Sequence, residues 1–467
     1  MFFLFNIFLH YTFQVLLQNI INFSLCFILI SYIYNMNTKF KERFIKSTII
    51  LIIGGLLTKV LGMLIKIIST KAIGSYGIGL YMMILPTFNL FITIATLSLP
   101  TSISKLVAEN TKNNKKLVLG VVPIVLLFDC LLILIIIILS PFIASIMLHN
   151  KSLTLPIICI SITLPFITIS SILRGYFFGK QKMFPQVLSN FTEQIVRIVL
   201  ILIFIPIFKK YGIIYAVCFL VLSNVISELS SIFIFLFFTP KKISIKREDI
   251  ICSKDDIKDI MSISLPTTMS RLVSSISMFL EPIIITFVFL RLGYNISYIT
   301  NEYGIITGYI MPIVFMPNFL TSAVSIALLP EITRSYAKGD IKTVKKRINQ
   351  SFIYSLIIGI PCSIILVLFP SYILNLIYKT DIGASYLRVS AIIFSISYIL
   401  GPLSSILQTI NKSKTIFISN LIGCIIKNIT LFLLLYLKLD MYPLLISYFL
   451  SYLYIVIHQY KTFKKVL

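Results

Sequence analysis

Apolar runs of about 18 residues or more, separated by short polar stretches, recur along the chain. Each is long enough, at about 1.5 Å of rise per residue, to cross a hydrocarbon core of roughly 30 Å. They predict spanning helices over residues 44–70, 78–100, 117–141, 154–174, 187–208 and 213–238. A second set follows over residues 259–290, 304–330, 350–369, 386–410, 415–436 and 441–459. The pattern therefore predicts an all-α polytopic membrane protein with about twelve transmembrane helices. Residues 1–35 form a further apolar run without the positively charged start of a signal peptide. Met36 is followed closely by Lys39, Lys41 and Arg43, which reads as a natural cytoplasmic beginning. The expectation is a mature chain starting at Met36, with an extra N-terminal helix as the alternative.

The polar positions inside and between these runs repeat. Pro100 ends the second predicted span and Pro330 the eighth, 230 residues later, and each precedes a basic loop. Ser189-Asn190 and Arg197 in the fifth span return as Ser419-Asn420 and Lys427 in the eleventh. Ser170-Ser171-Ile172-Leu173 in the fourth returns as Ser404-Ser405-Ile406-Leu407 in the tenth. Thr58-Lys59-Val60 in the first matches Ser270-Arg271-Leu272 in the seventh. Four matches in one helix order predict two six-helix lobes. Because six is even, the lobes enter the membrane in the same sense, as a parallel repeat. The expected division is an N-lobe over 36–238, a cytoplasmic linker over 239–258 and a C-lobe over 259–467.

Composition agrees with this pattern. Of 467 residues, 58% are hydrophobic and 12% charged, with a mean hydropathy of +1.00. A soluble domain carries about 25% charged residues. The net charge of +25 would suit nucleic acid, but the cations sit in short loops between lipid-length runs, which excludes that partner. The segment before the first span and every second loop after it hold 28 Lys and Arg, and the alternate loops six. That bias places the richer set, and both ends of the 36–467 core, in the cytoplasm. The seven Cys form no CxxC pair and the three His are scattered, so no disulfide framework, metal site or cofactor is expected. No Walker motif, nucleophile elbow or HExxH is present, so the chain is not expected to be an enzyme. With no Trp, the interfacial belt falls to the 24 Tyr.

Seven cations remain inside the predicted spans: Lys59, Lys66, Lys71, Arg197, Arg271, Arg388 and Lys427. Lys71 and Arg388 lie near helix ends and can snorkel to the interface. Each of the other five would cost roughly 2.5–3.5 kcal/mol facing lipid at mid-helix. Lys59, Lys66, Arg197, Arg271 and Lys427 are therefore expected to line a central cavity and bind an anionic substrate. The acids in the spans are Asp129, Glu193, Glu228 and Glu281. Glu193 and Arg197 are spaced i,i+4 for an ion pair. Glu193, Asp129 and Glu281 are the candidates for ion pairing or for coupling to an ion.

Two stretches, Lys59-Val60-Leu61-Gly62 and Ala72-Ile73-Gly74-Ser75-Tyr76-Gly77-Ile78-Gly79-Leu80-Tyr81, carry a family resemblance. Pro100-Thr101-Ser102-Ile103-Ser104-Lys105-Leu106-Val107-Ala108-Glu109 and Glu193-Gln194-Ile195-Val196-Arg197 extend it. Over about residues 36–460 the chain resembles the stage V sporulation protein B family. That family belongs to the polysaccharide-transporter branch of the multidrug/oligosaccharidyl-lipid/polysaccharide flippase superfamily, with the lipid II flippases as relatives. The resemblance implies a monomeric transporter in the bacterial cytoplasmic membrane, working by alternating access between its lobes. It implies a lipid-linked sugar as substrate, held by its anionic pyrophosphate, with membrane lipid as the other partner and a role in spore cortex peptidoglycan. Basic residues in the family's first helix correspond here to Lys59 and Lys66, whereas the lipid II flippases' second-helix arginine has no counterpart between Tyr81 and Pro100. The alternatives are a cation-coupled multidrug exporter of the same fold and a non-transporting sporulation scaffold.

Overall fold

The computed structural model describes residues 40–109, 114–239, 253–318, 321, 332, 335–336, 340–410 and 412–466. The apolar extension 1–35, most of the linker and Pro330 lie outside the described residues. Helices and their short π and 3-10 turns make up the fold, and no strand occurs among the described residues. Helix α1, Phe40–Thr96, contains the first two predicted spans as two arms. They meet at Gly74, whose φ of 75° and ψ of −178° suit only a residue without a Cβ. The second arm ends earlier than expected. Leu97 and Ser98 turn with positive φ, and Pro100 sits in the first turn of α2, Leu99–Glu109. Pro100 thus opens a helix, where its missing N–H costs nothing.

The N-lobe continues with α3, Asn114–Phe142; α4, Thr154–Gly179; α5, Met183–Tyr211; and α6, Ile213–Phe237. The face of α3 bearing Ile124, Leu127, Leu131, Leu134 and Ile138 is exposed, as a lipid-facing surface must be. Helix α7, Lys254–Arg291, begins inside the expected linker, because Ser253 caps it by accepting from the Asp256 amide. The eighth span starts eight residues early as α8, Ile296–Gly304, and runs through a π turn, Ile305–Ile310, into α9, Met311–Val314. Helix α10, Ile341–Leu368, starts nine residues early. Its first turns are basic and polar, and so invisible to hydropathy, but Asp340 caps them at the Thr343 amide. Hydrogen bonds from Thr343 also hold the Asp340 carboxyl below its ordinary pKa. The C-lobe ends with α11, Pro370–Tyr378; α12, Ala384–Ile393; α13, Ser397–Thr409; α14, Ser413–Leu435; and α15, Tyr442–Val466. Nine described helical stretches, α1 and α2 together counting as one, are long and apolar enough to cross a membrane. The chain is a multi-pass membrane protein.

The repeat is visible in how each lobe is stitched. In the N-lobe, Ser170 of α4 and Ser189 of α5 both hydrogen-bond Ser231 of α6. In the C-lobe their counterparts Ser404 and Ser419 both hydrogen-bond Gln459 of α15. Each pair of repeated serines thus ties the fourth and fifth helices of its lobe to the sixth. Such bonds hold helices together where lipid supplies no hydrophobic drive.

The lobes are joined unevenly. One continuous apolar core runs from Ile73, Ile78 and Met83 of α1 into Ile285, Ile306 and Ile310 of the C-lobe. It lies at the Gly74 end of the molecule. There Ser75 and Gly79 of α1 pack against Thr300 and Gly304, Ile78 packs against Gly308, and no Cβ fits at Gly79 or Gly304 without striking the other helix's backbone. Toward the end where α1 begins, the cores are smaller. Ile50 and Val187 form one, Ile332, Val344, Ile348 and Ile406 another, and a third joins α2 and α3 to Ile260 of α7. Along the first arm of α1, Thr70 bonds the Gly308 carbonyl at 3.2 Å.

A candidate anion-binding cleft between the lobes

Three of the five deep cations lie on α1 and α7, the first helices of the two lobes. Gly55, Lys59 and Lys66 form one exposed face of the first arm of α1, spaced as three turns of helix. Arg271 is exposed midway along α7. Lys66 is exposed as well. An exposed lysine or arginine at mid-span cannot face lipid without a large cost, which makes these three the candidates to line a wet space between the lobes.

The other two deep cations are engaged within their own lobes. Arg197 donates from Nη2 to Glu193 Oε1 at 3.0 Å and to the Ser227 hydroxyl at 3.0 Å. The i,i+4 pair expected from spacing is therefore formed. Glu193 also accepts from Arg174 Nη2 through its other oxygen at 3.3 Å, and Glu228 Oε2 lies 3.9 Å from that same nitrogen. Two arginines and two glutamates thus form one cluster across α4, α5 and α6. In the C-lobe, Lys427 Nζ donates to Glu281 Oε2 at 2.9 Å and to the Ser277 carbonyl at 3.3 Å. Tyr448 gives its hydroxyl proton to Glu281 Oε2 at 2.7 Å and Tyr303 to Oε1 at 3.0 Å. The Lys427 ammonium also lies 5.0 Å from the Tyr448 ring centroid. The expectation gathered Arg197 and Lys427 with Lys59 and Arg271 around one cavity. The structure instead gives each a carboxylate, and the repeat relates them as intralobe ion pairs.

Sequence reasoning missed Arg174, Tyr303 and Tyr448. Arg174 was counted as a loop cation because the fourth span was expected to end at 174. Helix α4 runs to Gly179, so Arg174 is more than a turn inside. The repeat gives no warning, since its counterpart is the uncharged Gln408. The tyrosines were assigned to the interfacial belt, yet Tyr303 is 2% exposed. Their signal was Glu281 itself: a carboxylate at mid-span needs more than one donor. Asp129, the remaining candidate, is fully buried in α3. No group of three or more metal-ligating side chains occurs among the described residues.

An all-helical multi-pass fold of two lobes defines a membrane carrier of the flippase and exporter type, a class that moves its substrate and does not transform it. The family model described as polysaccharide biosynthesis protein matches residues 44–336, and one described as MatE matches residues 272–433. Stage V sporulation protein B of Bacillus subtilis (strain 168) is 36% identical over 407 residues, covering 84% of this chain and 78% of that protein. The lipid II flippase MurJ of Bacillus subtilis (strain 168) is 25% identical over 83% of this chain and 76% of its own length. A solved structure of a lipid II flippase MurJ, in an inward closed conformation, superposes with a TM-score of 0.68 at 17% identity, over 89% of this chain and 87% of that one. The chain belongs to the polysaccharide biosynthesis protein family.

Proposed function

We propose that the protein flips a lipid-pyrophosphate-linked cell-wall or polysaccharide precursor across the bacterial cytoplasmic membrane by alternating access, as a monomer, within spore cortex peptidoglycan synthesis. The observation that carries this reading is the exposure of Lys59, Lys66 and Arg271 at mid-span on the first helices of the two lobes. Water-exposed cations at the depth where a helix can least tolerate them suit an anion that visits. A pyrophosphate bears about two charges and accepts charge-assisted hydrogen bonds from several donors at once. The lysines act as mobile point charges and Arg271 as a planar fork. The relatives bearing the names stage V sporulation protein B and lipid II flippase support the substrate class and the sporulation role.

The test is binding to the purified protein. A polyprenyl-pyrophosphate sugar is expected to bind, with affinity falling as salt is raised because partly exposed charges are screened. Equal binding of the same sugar on an uncharged polyprenol would overturn the reading.

In this proposal the cleft opens to the cytoplasm, on the side of the 28 loop cations. Lys345 in the first turns of α10 and Lys379 just after α11 are both exposed, at opposite ends of the C-lobe. A cysteine at Lys345 is expected to be shielded from an impermeant thiol reagent in intact cells, and one at Lys379 to react. The reverse labelling pattern would invert the orientation.

A further inference from the structure

Of the two cations near helix ends, Arg388 donates to the Val367 carbonyl at 3.3 Å. Lys71, just before the Gly74 bend of α1, is exposed and makes no hydrogen bond or ion pair among the described residues. The charge that acts on it is that of Lys379, which follows α11 in the C-lobe. One acceptor fixes both positions. Thr70 donates its hydroxyl to the Gly308 carbonyl at 3.2 Å, and Tyr378 donates to the same carbonyl at 3.4 Å. Each lysine is the next residue after one of these donors. Thr70 and Tyr378 are 0% and 6% exposed, whereas both lysines are exposed. The two lobes therefore share a buried contact, and each raises one ammonium group to the surface beside it. The two charges repel each other.

A cation near a helix C-terminus ordinarily answers the last carbonyls. Lys209 does so here: its Nζ donates to the Ala72 carbonyl at 2.8 Å. The end of the first arm of α1 is thus served by a lysine from α5, and Lys71 is a second cation at the same place. Lys379 closes α11 in the left-handed region, with φ 61° and ψ 33°, where glycine or asparagine is the usual residue. The acids at this end of the C-lobe are otherwise placed. Glu302 accepts from Tyr386 at 2.9 Å and Asp440 from Tyr298 at 3.1 Å. Asp381, close after Lys379, is exposed and makes no ion pair among the described residues. The alternate loops hold only six Lys and Arg, yet two of them, Lys209 and Lys379, gather beside Lys71 with no carboxylate paired to any of the three.

We propose that Lys71 and Lys379 form a phosphate-binding site at the Gly74 end of the seam between the lobes, where one phosphate group bridges the two ammonium groups and holds the seam shut. The phosphate is that of an anionic phospholipid headgroup or free inorganic phosphate; both offer negative charge and several acceptor oxygens. A lysine ammonium is a mobile point charge with three donors, so two of them can share one phosphate while Lys209 keeps its carbonyl. Because the two lysines belong to different lobes, the site is complete only while the seam is closed. An anion that binds that state alone shifts the equilibrium toward it. Without the anion, like charges stay opposed across the seam and favour its parting. That the seam parts during transport, and that this end faces away from the cytoplasm, rest on the function proposed above; the anion site does not.

The experiment acylates the lysines of the full purified chain with a sulfosuccinimidyl ester and reads each site by peptide mass spectrometry. In detergent, inorganic phosphate at about ten times its dissociation constant is expected to slow acylation of Lys71 and Lys379 about tenfold, against chloride of equal ionic strength. Lys151 and Lys438, exposed in other loops of the same set, should not change. A second arm uses nanodiscs without free phosphate, of phosphatidylcholine alone or mixed with phosphatidylglycerol. Protection in detergent assigns free phosphate, and protection only with phosphatidylglycerol assigns the lipid headgroup. Lys379→Gln should strip the protection from Lys71 and Lys379→Arg should restore it, with thermal melting of both as the control for folding. No protection in either arm, or protection of Lys71 that survives Lys379→Gln, would overturn the site. Protected lysines without slower amide exchange across residues 75–83 and 300–308 would overturn the closing effect and leave the site standing.

Discussion

The double variant Lys59→Gln with Arg271→Gln is expected to abolish transport while the protein still inserts and folds. In the proposed mechanism each substitution removes a charged donor from the substrate's pyrophosphate. A hydrogen bond to a charged group contributes about 1.5–3 kcal/mol, so each single change should weaken binding of a pyrophosphate lipid by on the order of 10–100-fold. The two together should leave no measurable preference for the charged lipid. Insertion should be unharmed or improved, because a mid-span cation costs roughly 2.5–3.5 kcal/mol on insertion scales. Lys59→Arg keeps the charge and should keep activity. The measurement is lipid movement in proteoliposomes at matched protein density. Normal movement by the double variant would remove the cleft mechanism and favour a scaffold.

Much of this site can be read in the sequence because its logic is one of cost. A cation inside a lipid-length apolar run must be answered by something, and Lys59, Lys66, Arg197, Arg271 and Lys427 stand out on that ground alone. Hydropathy cannot say what the answer is. For Arg197 a carboxylate four residues away gave the partner in advance. For Lys427 the partner is Glu281, 146 residues distant, and only tertiary structure joins them. The repeat marked the paired serines correctly, because Ser170, Ser189, Ser404 and Ser419 do the same work in both lobes. It also suggested that paired cations share one cavity, which does not follow. Pseudo-symmetry relates positions within lobes, and Arg197 and Lys427 are related as the centres of two separate clusters. Boundaries erred where helices continue into water, as at α10, whose basic first turns carry no hydropathic signal. Arg174 was lost to such a boundary, and with it half of the N-lobe cluster.

Breaking the C-lobe pair separates the two roles open to Lys427. The side chains of Lys427 and Glu281 are 6% and 4% exposed, so removing one partner strands a charge in a medium that cannot solvate it. Lys427→Met is expected to cost about 3–5 kcal/mol, read as a fall of several degrees in the melting temperature of the purified protein. Glu281→Gln alone should cost a comparable amount by leaving the ammonium unpaired. The double variant removes both charges, while the amide that replaces the carboxylate can still accept from one of Tyr303 and Tyr448 through its carbonyl oxygen and donate to the hydroxyl oxygen of the other. Replacing a buried pair with uncharged groups of similar size is often neutral, so most of the lost stability should return. Transport should return with it if Lys427 serves the lobe. If Lys427 instead holds the substrate, the double variant will be stable and still bind the pyrophosphate lipid poorly, because restoring the fold does not restore the charge. The geometry favours the first outcome. Lys427 already donates to a carboxylate and a carbonyl and lies against the Tyr448 ring, and a visiting pyrophosphate would have to displace all three.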